Sequence, residues 1–221
     1  HKSIKNAPSR KTYIEVMRII AAFLVIVNHT NSDIFVKYTD PSSGVWYLSL
    51  TYFFISKIAV PVFLMIMGGL LLQKIDKPKK SVERILRMVV VLFVISIVYF
   101  LYLNRLNPAN ITIAKFFNTV ITNRTNNALW YLYTYIGLLV LLPILQRMAQ
   151  ALSKKATEYL LLVSVVILGI LPLLNVFFDF SLNKYFTETF FVPYIGLVFA
   201  GYYIEKYMKI NLKTFVASCA I

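Results

Sequence analysis

The 221-residue sequence has a single cysteine, Cys219, and few charged side chains. One cysteine excludes an internal disulfide and a zinc site built on paired cysteines, and we interpret it as a small buried hydrophobic residue. Charged residues make up 14% of the chain, whereas soluble globular proteins usually have about 25%. A surface so poor in charge does not solvate a folded domain of this length, so lipid is the expected solvent.

Several catalytic motifs are also missing. The sequence has no glycine-rich phosphate loop, no H-E-x-x-H helix and no G-x-S-x-G turn, which argues against an ATP-driven pump, a zinc hydrolase and a serine hydrolase. The net charge of +14 would suggest nucleic acid in a soluble protein. Here the basic residues are grouped between apolar runs, where they indicate topology and contacts with anionic headgroups. We therefore expect membrane lipid, and no nucleic acid, as a partner, and no metal site.

Hydrophobic residues make up 59% of the chain and form runs near the length of about 20 residues that a membrane helix needs. They predict an all-α, polytopic transmembrane helical bundle. The six predicted spans are Tyr13–Thr30, Tyr52–Leu72, Met88–Leu103, Leu129–Leu145, Tyr159–Phe177 and Phe190–Ile204. A seventh run begins near Phe215 and is cut off at Ile221, and Ile111–Val120 predicts a short interfacial or re-entrant helix.

Lysine and arginine residues are concentrated in alternate loops. They precede the first predicted span and follow the second, fourth and sixth, and the remaining loops contain fewer of them. The positive-inside rule therefore places the N-terminus in the cytoplasm. The expected location is the cell (plasma) membrane, with several passes.

The first predicted span carries three ionisable side chains, Glu15, Arg18 and His29. An ionisable group at membrane depth is costly and usually marks a site in the bundle interior. Arg18 and His29 are eleven residues apart, about three helical turns, so they share one face at a separation of roughly 16 Å. Glu15 is placed to pair with Arg18. Two simpler interpretations stay open: Arg18 extends to the headgroups, and His29 caps the helix end.

Three further basic residues lie in or beside the next two spans. Lys57 lies in the outer half of the second span, where it either lines a cavity or extends outward. Arg84 and Arg87 open the third span one turn apart. They are either topological anchors or a cytoplasmic anion site, because guanidinium groups suit phosphate.

An aromatic cluster opens the fourth predicted span. Trp130 and Tyr131 come first, and Tyr133 and Tyr135 follow. The cluster is typical of an aromatic belt at the membrane interface, and a sugar-stacking surface is the alternative.

Five short motifs follow one another on the predicted spans. They are Arg18 and His29 separated by ten residues, Lys57 before Val-Pro-Val-Phe and a glycine pair, Arg84 and Arg87, Leu-Trp-Tyr-Leu at 129–132, and the glycine-spaced run Tyr194–Tyr203. In this order they resemble the acyltransferase-3 family of bacterial membrane acyltransferases, which modify O-antigen, peptidoglycan and exopolysaccharide. Many members have an acidic residue after the histidine, where this chain has Thr30.

The resemblance implies transfer of an acyl group from a cytoplasmic donor, usually acetyl-CoA, to a hydroxyl of an envelope glycan. The arginines would bind the donor's phosphates. His29 would act as general base or carry the acyl group itself, and both roles stay open. Lys57 would stabilise a developing oxyanion. The candidate catalytic residues are His29 and Arg18, and the candidate residues for binding substrate or acyl-CoA are Arg84, Arg87, Lys57, Glu15, Trp130 and Tyr131.

Two other functions remain open at this stage. One is an exporter of polysaccharide or of a lipid-linked precursor, which would also have many spans and intramembrane charges. The other is a membrane sensor domain within a larger fusion protein. Members of the family usually have about ten spans of about 20 residues each. We therefore expect residues 1–221 to form one membrane acyltransferase domain that continues beyond Ile221.

Overall fold

The computed structural model describes residues 12–30, 40–107, 111–122, 129–178 and 192–208. Within these ranges the chain is helical, as predicted, and contains no strand. A π-helical segment, Val166–Ile170, joins the seventh described helix to the eighth. The α-helices in chain order are α1 (Thr12–His29), α2 (Gly44–Lys57), α3 (Ala59–Leu71), α4 (Pro78–Asn104), α5 (Ile113–Ile121), α6 (Trp130–Ala151), α7 (Lys154–Val165), α8 (Leu171–Phe178) and α9 (Val192–Tyr207).

Four stretches of the described chain are long and apolar enough to cross a bilayer. They correspond to the first four predicted spans, and large apolar side chains such as Phe23 and Ile144 are exposed on them, as lipid requires. The fifth predicted span lies on the helical run 154–178 and the sixth overlaps α9, and their crossing of the bilayer stays a prediction, as does the orientation. The seventh run lies outside the described residues. The four stretches are Thr12–His29, Gly44–Leu71, Pro78–Asn104 and Trp130–Ala151.

The second stretch is divided into α2 and α3 by a turn at Ile58. Pro61 follows three residues later, and its nitrogen has no hydrogen to donate to the carbonyl of Lys57. The helix resumes where the Val62 N–H donates to the Ile58 carbonyl at 3.1 Å. At the other end, the Ser43 hydroxyl caps α2 by accepting the Trp46 N–H. The break makes Lys57 the last residue of α2, with its side chain at a helix end.

The described helices fall into two compact units. The first contains residues up to Leu70 and from Tyr159 onward, and the second contains Leu71–Glu158. In the first unit α1 packs on α2, and α3 packs on α9. Phe199 and Tyr202 of α9 are fully buried there.

The backbones of α3 and α9 come into near contact. A Cβ atom added to Gly68 would lie 1.7 Å from the Val198 carbonyl oxygen, and one added to Gly201 would lie 1.8 Å from the Met65 carbonyl oxygen. Only glycine permits such an approach, and small residues commonly let membrane helices pack closely. The glycine-spaced pattern on α9 is therefore a packing surface for α3.

In the second unit α4 packs along α6, and the short α5 lies against α4. The ring centroid of Phe116 on α5 is 5.4 Å from that of Phe100 on α4. The Tyr133 hydroxyl of α6 donates to the Val120 carbonyl of α5 at 2.5 Å. The short helix predicted at 111–120 is thus confirmed as a helix, Ile113–Ile121, held by aromatic packing and one hydrogen bond.

The glycine contact predicts a strong effect of a single methyl group. Gly68→Ala should destabilise the protein by about 1–3 kcal/mol, because the new Cβ clashes with the Val198 backbone carbonyl, which cannot move without shifting α9. Thermal unfolding of the purified protein in detergent measures this effect. Gly137→Ala on α6 is the matched control, because a Cβ there meets nothing within 4 Å. Equal melting temperatures for the two variants would contradict the backbone contact.

Candidate active site

Helix α1 positions three of the predicted site residues. The Arg18 guanidinium lies 2.9 Å from the Glu15 carboxylate, one turn earlier on the helix, so the predicted pair forms. His29 is the last residue of α1, and its side chain is exposed. The uninterrupted helix between Arg18 and His29 keeps them on one face, about three turns apart.

The end of α1 that carries His29 is fixed to α2 through Asn28. The Lys57 ammonium donates to the Asn28 side-chain oxygen at 2.9 Å. The buried Ser56 hydroxyl lies 3.2 Å from the same oxygen and donates to the Phe53 carbonyl at 2.7 Å. Lys57 also lies 4.4 Å from the ring centroid of Phe53, a cation–π contact. The structure therefore brings Lys57 to the residue next to His29.

On the other side of His29, Thr30 is attached to α2 as well. Its hydroxyl lies 2.9 Å from the Tyr52 hydroxyl, which also donates to the Thr30 carbonyl at 3.2 Å. A pair of neutral hydroxyl groups therefore lies at the residue after His29. Both chain neighbours of His29 are thus hydrogen-bonded to α2, which fixes the backbone on which the imidazole stands.

Arg84 and Arg87 lie in the second unit, near the start of α4. The Arg84 Nη1 atom is 2.5 Å from the Asp76 carboxylate, and Lys80 is 3.2 Å from the other carboxylate oxygen. Arg87 is exposed one turn further along the helix. The two arginines therefore differ: one is ion-paired and partly buried, and the other is open to its surroundings.

The Asp76 carboxyl is 4% exposed and lies in the segment before α4, outside the predicted spans. Burial raises its pKa, but hydrogen bonds from Arg84, Gln146 and Lys80 outweigh this effect and lower the pKa to about 2 from 3.8. A lowered pKa means that the carboxylate stabilises the fold above pH 4 and loses this contribution only as the pH falls towards 2. Asp76 is thus a charged partner of Arg84 at physiological pH.

Trp130 and Tyr131 begin α6, as predicted, and belong to the second unit. Their ring centroids are 6.2 Å apart in an edge-to-face arrangement. The Tyr131 and Tyr135 rings follow at 5.9 Å. The rings form a continuous aromatic surface at the start of the helix, which fits both an interfacial belt and a stacking platform for sugars.

Sequence reasoning missed the polar partners of these side chains. Asn28, Ser56 and Tyr52 hold the His29 end of α1, and Asp76 and Gln146 surround Arg84. The sequence held one signal: Gln146 interrupts the leucine-rich run of α6, and a side-chain amide in such a run needs a partner. Which partner each residue finds depends on packing between helices that are distant in the sequence.

Comparison with known proteins gives one match. A family model described as an acyltransferase domain, Acyl_transf_3, matches residues 11–221. Neither the curated proteins nor the solved structures give a match. The matched range includes every candidate site residue named above.

The Asn28 contact predicts a measurable coupling between α1 and α2. Asn28→Ala should lower the free energy of unfolding by about 1 kcal/mol, because the Lys57 ammonium loses its hydrogen-bond acceptor. In the Asn28→Ala background, Lys57→Met should lower the free energy of unfolding by less than it does in the wild type. A double-mutant cycle of unfolding in detergent measures this difference. Asn118→Ala, at an exposed asparagine of α5, is the control. Strictly additive effects would contradict the contact.

Proposed function

Because this chain belongs to the acyltransferase-3 family, we propose that it is an integral membrane O-acyltransferase acting on the cell envelope. It moves an acyl group, most simply acetyl, from cytoplasmic acyl-CoA to a hydroxyl of an envelope glycan. The observation that carries the proposal is the arrangement at the end of α1 and α2. There the exposed His29 ends α1, and the residue before it, Asn28, binds the ammonium group of Lys57.

The donor offers two features that basic residues bind or activate. Acyl-CoA carries phosphates at one end and its reactive thioester at the other. Arg84 and Arg87 lie at the predicted cytoplasmic end of α4 and offer guanidinium donors for phosphate. We also assign Arg18 to the donor, with Glu15 fixing its side chain about three turns from His29 on α1.

The reaction forms an ester C–O bond and breaks the thioester C–S bond. We assign His29 to take the proton of the acceptor hydroxyl as that oxygen attacks the acyl carbon. The proton then passes to the departing thiolate, so that CoA leaves as the thiol. Lys57 stabilises the negative charge on the carbonyl oxygen in the tetrahedral intermediate. A route in which His29 first carries the acyl group uses the same residues.

The glycan acceptor suits the aromatic surface at the start of α6. Sugar rings present C–H faces that stack on aromatic rings, and Trp130 and Tyr131 provide such faces at the predicted outer interface. An interfacial belt needs the same residues, so substitution distinguishes the two roles. A stacking residue affects the affinity for the acceptor, and a belt residue affects insertion.

We expect His29→Ala to abolish acyl transfer, by at least about a hundredfold, since a general base contributes that much or more. The measurement uses membranes with radiolabelled acetyl-CoA and follows the label into envelope glycan and into free acetate. Lys57→Met should retain more activity than His29→Ala, because a positive charge assists the reaction without accepting the proton. Asn118→Ala is the control for insertion and expression.

Two outcomes would contradict the proposal. Full transfer by His29→Ala would remove the histidine from the chemistry. If wild-type membranes consume neither acetyl-CoA nor succinyl-CoA, the export and sensor functions replace the enzyme, and glycan export in whole cells then separates those two.

A further inference from the structure

The segment that leads into α4 is organised around the buried carboxylate of Asp76. Its oxygens contact Arg84 at 2.5 Å, Lys80 at 3.2 Å and the Gln146 amide nitrogen at 2.9 Å. A buried carboxylate is strongly destabilising unless it is paired and hydrogen-bonded. The pairing therefore fixes the Arg84 side chain as firmly as it fixes Asp76.

Gln146 on α6 joins this ion pair to the backbone. The residue is fully buried. Its amide nitrogen donates to the Leu71 carbonyl at 2.8 Å, and its oxygen accepts the backbone N–H of Asp76 at 3.1 Å. The next turn repeats the arrangement, because Gln150 donates to the Leu72 carbonyl at 2.7 Å. Asp76 is thus held by its side chain and by its main chain.

The contact with Asp76 uses one nitrogen of the Arg84 guanidinium. A guanidinium has five N–H donors, and the contact with Asp76 involves Nη1 alone among the described hydrogen bonds. The Arg84 side chain is 21% exposed. Asp76 brings one negative charge to the two positive charges of Arg84 and Lys80, so the cluster keeps a net positive charge that attracts an anion.

We propose that Asp76 and Gln146 are positioning residues for the donor site, which hold Arg84 so that its remaining N–H groups meet the phosphates of acyl-CoA. This inference rests on the proposed function. Neither residue touches the reacting atoms. Their substitution changes the affinity for the donor rather than the rate of the chemical step.

The experiment compares steady-state kinetics with acyl-CoA as the varied substrate. Asp76→Asn keeps the shape and an acceptor oxygen but removes the charge. It should raise KM for acyl-CoA about tenfold and change kcat less than twofold, because an arginine that is no longer held binds phosphate less well. Asp76→Glu should restore part of the affinity, and Gln146→Leu should raise KM in the same direction. Glu83→Gln, at the exposed acid next to Arg84, is the matched control and should leave KM unchanged.

The Arg84→Met background tests whether Asp76 acts through the arginine. There Asp76→Asn should raise KM no further. A second full tenfold increase, or a fall in kcat with KM unchanged, would overturn the assignment. Thermal unfolding in detergent is measured for the wild type, Asp76→Asn, Arg84→Met and the double variant. It tests the ion pair independently of any enzyme activity. If the effects of the two substitutions on stability are not additive, the ion pair is supported. If the wild type at the same time turns over no acyl-CoA, the proposed function and the positioning role are both rejected.

Discussion

The structure depends on the lack of water around most of its surface. A polar group inside lipid has no solvent partner, so it must find one in the protein. The described backbone meets this requirement by being helical almost throughout. Where Pro61 cannot donate, the helix breaks at Ile58 and resumes after one residue. Polar side chains follow the same rule, and the Asn28 oxygen accepts a hydrogen bond from Lys57.

The same constraint explains how α1 is attached to its unit. Lipid provides no hydrophobic force between apolar helices, and only Ile14 and Ala21 of α1 are buried. Polar contacts occur at both ends instead. The Tyr13 hydroxyl donates to the Glu205 carboxylate of α9 near the start, and Asn28 contacts α2 near the end. The contacts at its two ends fix α1 in its unit although little of its surface is buried.

Much of this architecture could be predicted from the sequence because the membrane imposes a simple length and hydropathy rule. The first four predicted spans are confirmed as long apolar helices on that basis. The Glu15–Arg18 pair, which follows from spacing along a helix, is also confirmed, as is the short helix before α6. The boundaries were less accurate: α4 begins at Pro78, ten residues before the predicted Met88, because amphipathic residues continue the helix beyond the apolar run. Hydropathy indicates only the length of a helix that lies in the apolar part of the membrane. Backbone hydrogen bonding determines where the helix begins and ends.

The contacts between helices could not be read from the sequence in the same way. Hydropathy places Lys57 in the outer half of the second predicted span, but only packing brings it to Asn28. Asp76 and Gln146 are seventy residues apart, and nothing local to either one indicates the other. The glycines at 68 and 201 belong to sequence motifs, but the carbonyls that they approach are set by the register of α3 against α9.

The two cations with the clearest geometry differ in the charge of their partners, and this difference bears on their chemistry. Lys57 is bound by a neutral amide and an aromatic ring, so no counter-ion compensates its charge in these contacts. An ammonium whose described partners are neutral suits a single negative charge that appears briefly, as in the tetrahedral intermediate of the proposed reaction. Arg84 has a carboxylate partner that cancels part of its charge and fixes its direction. A directed, partly compensated guanidinium suits a ligand that is permanently anionic, because recognition then depends on geometry and the site remains stable when it is empty.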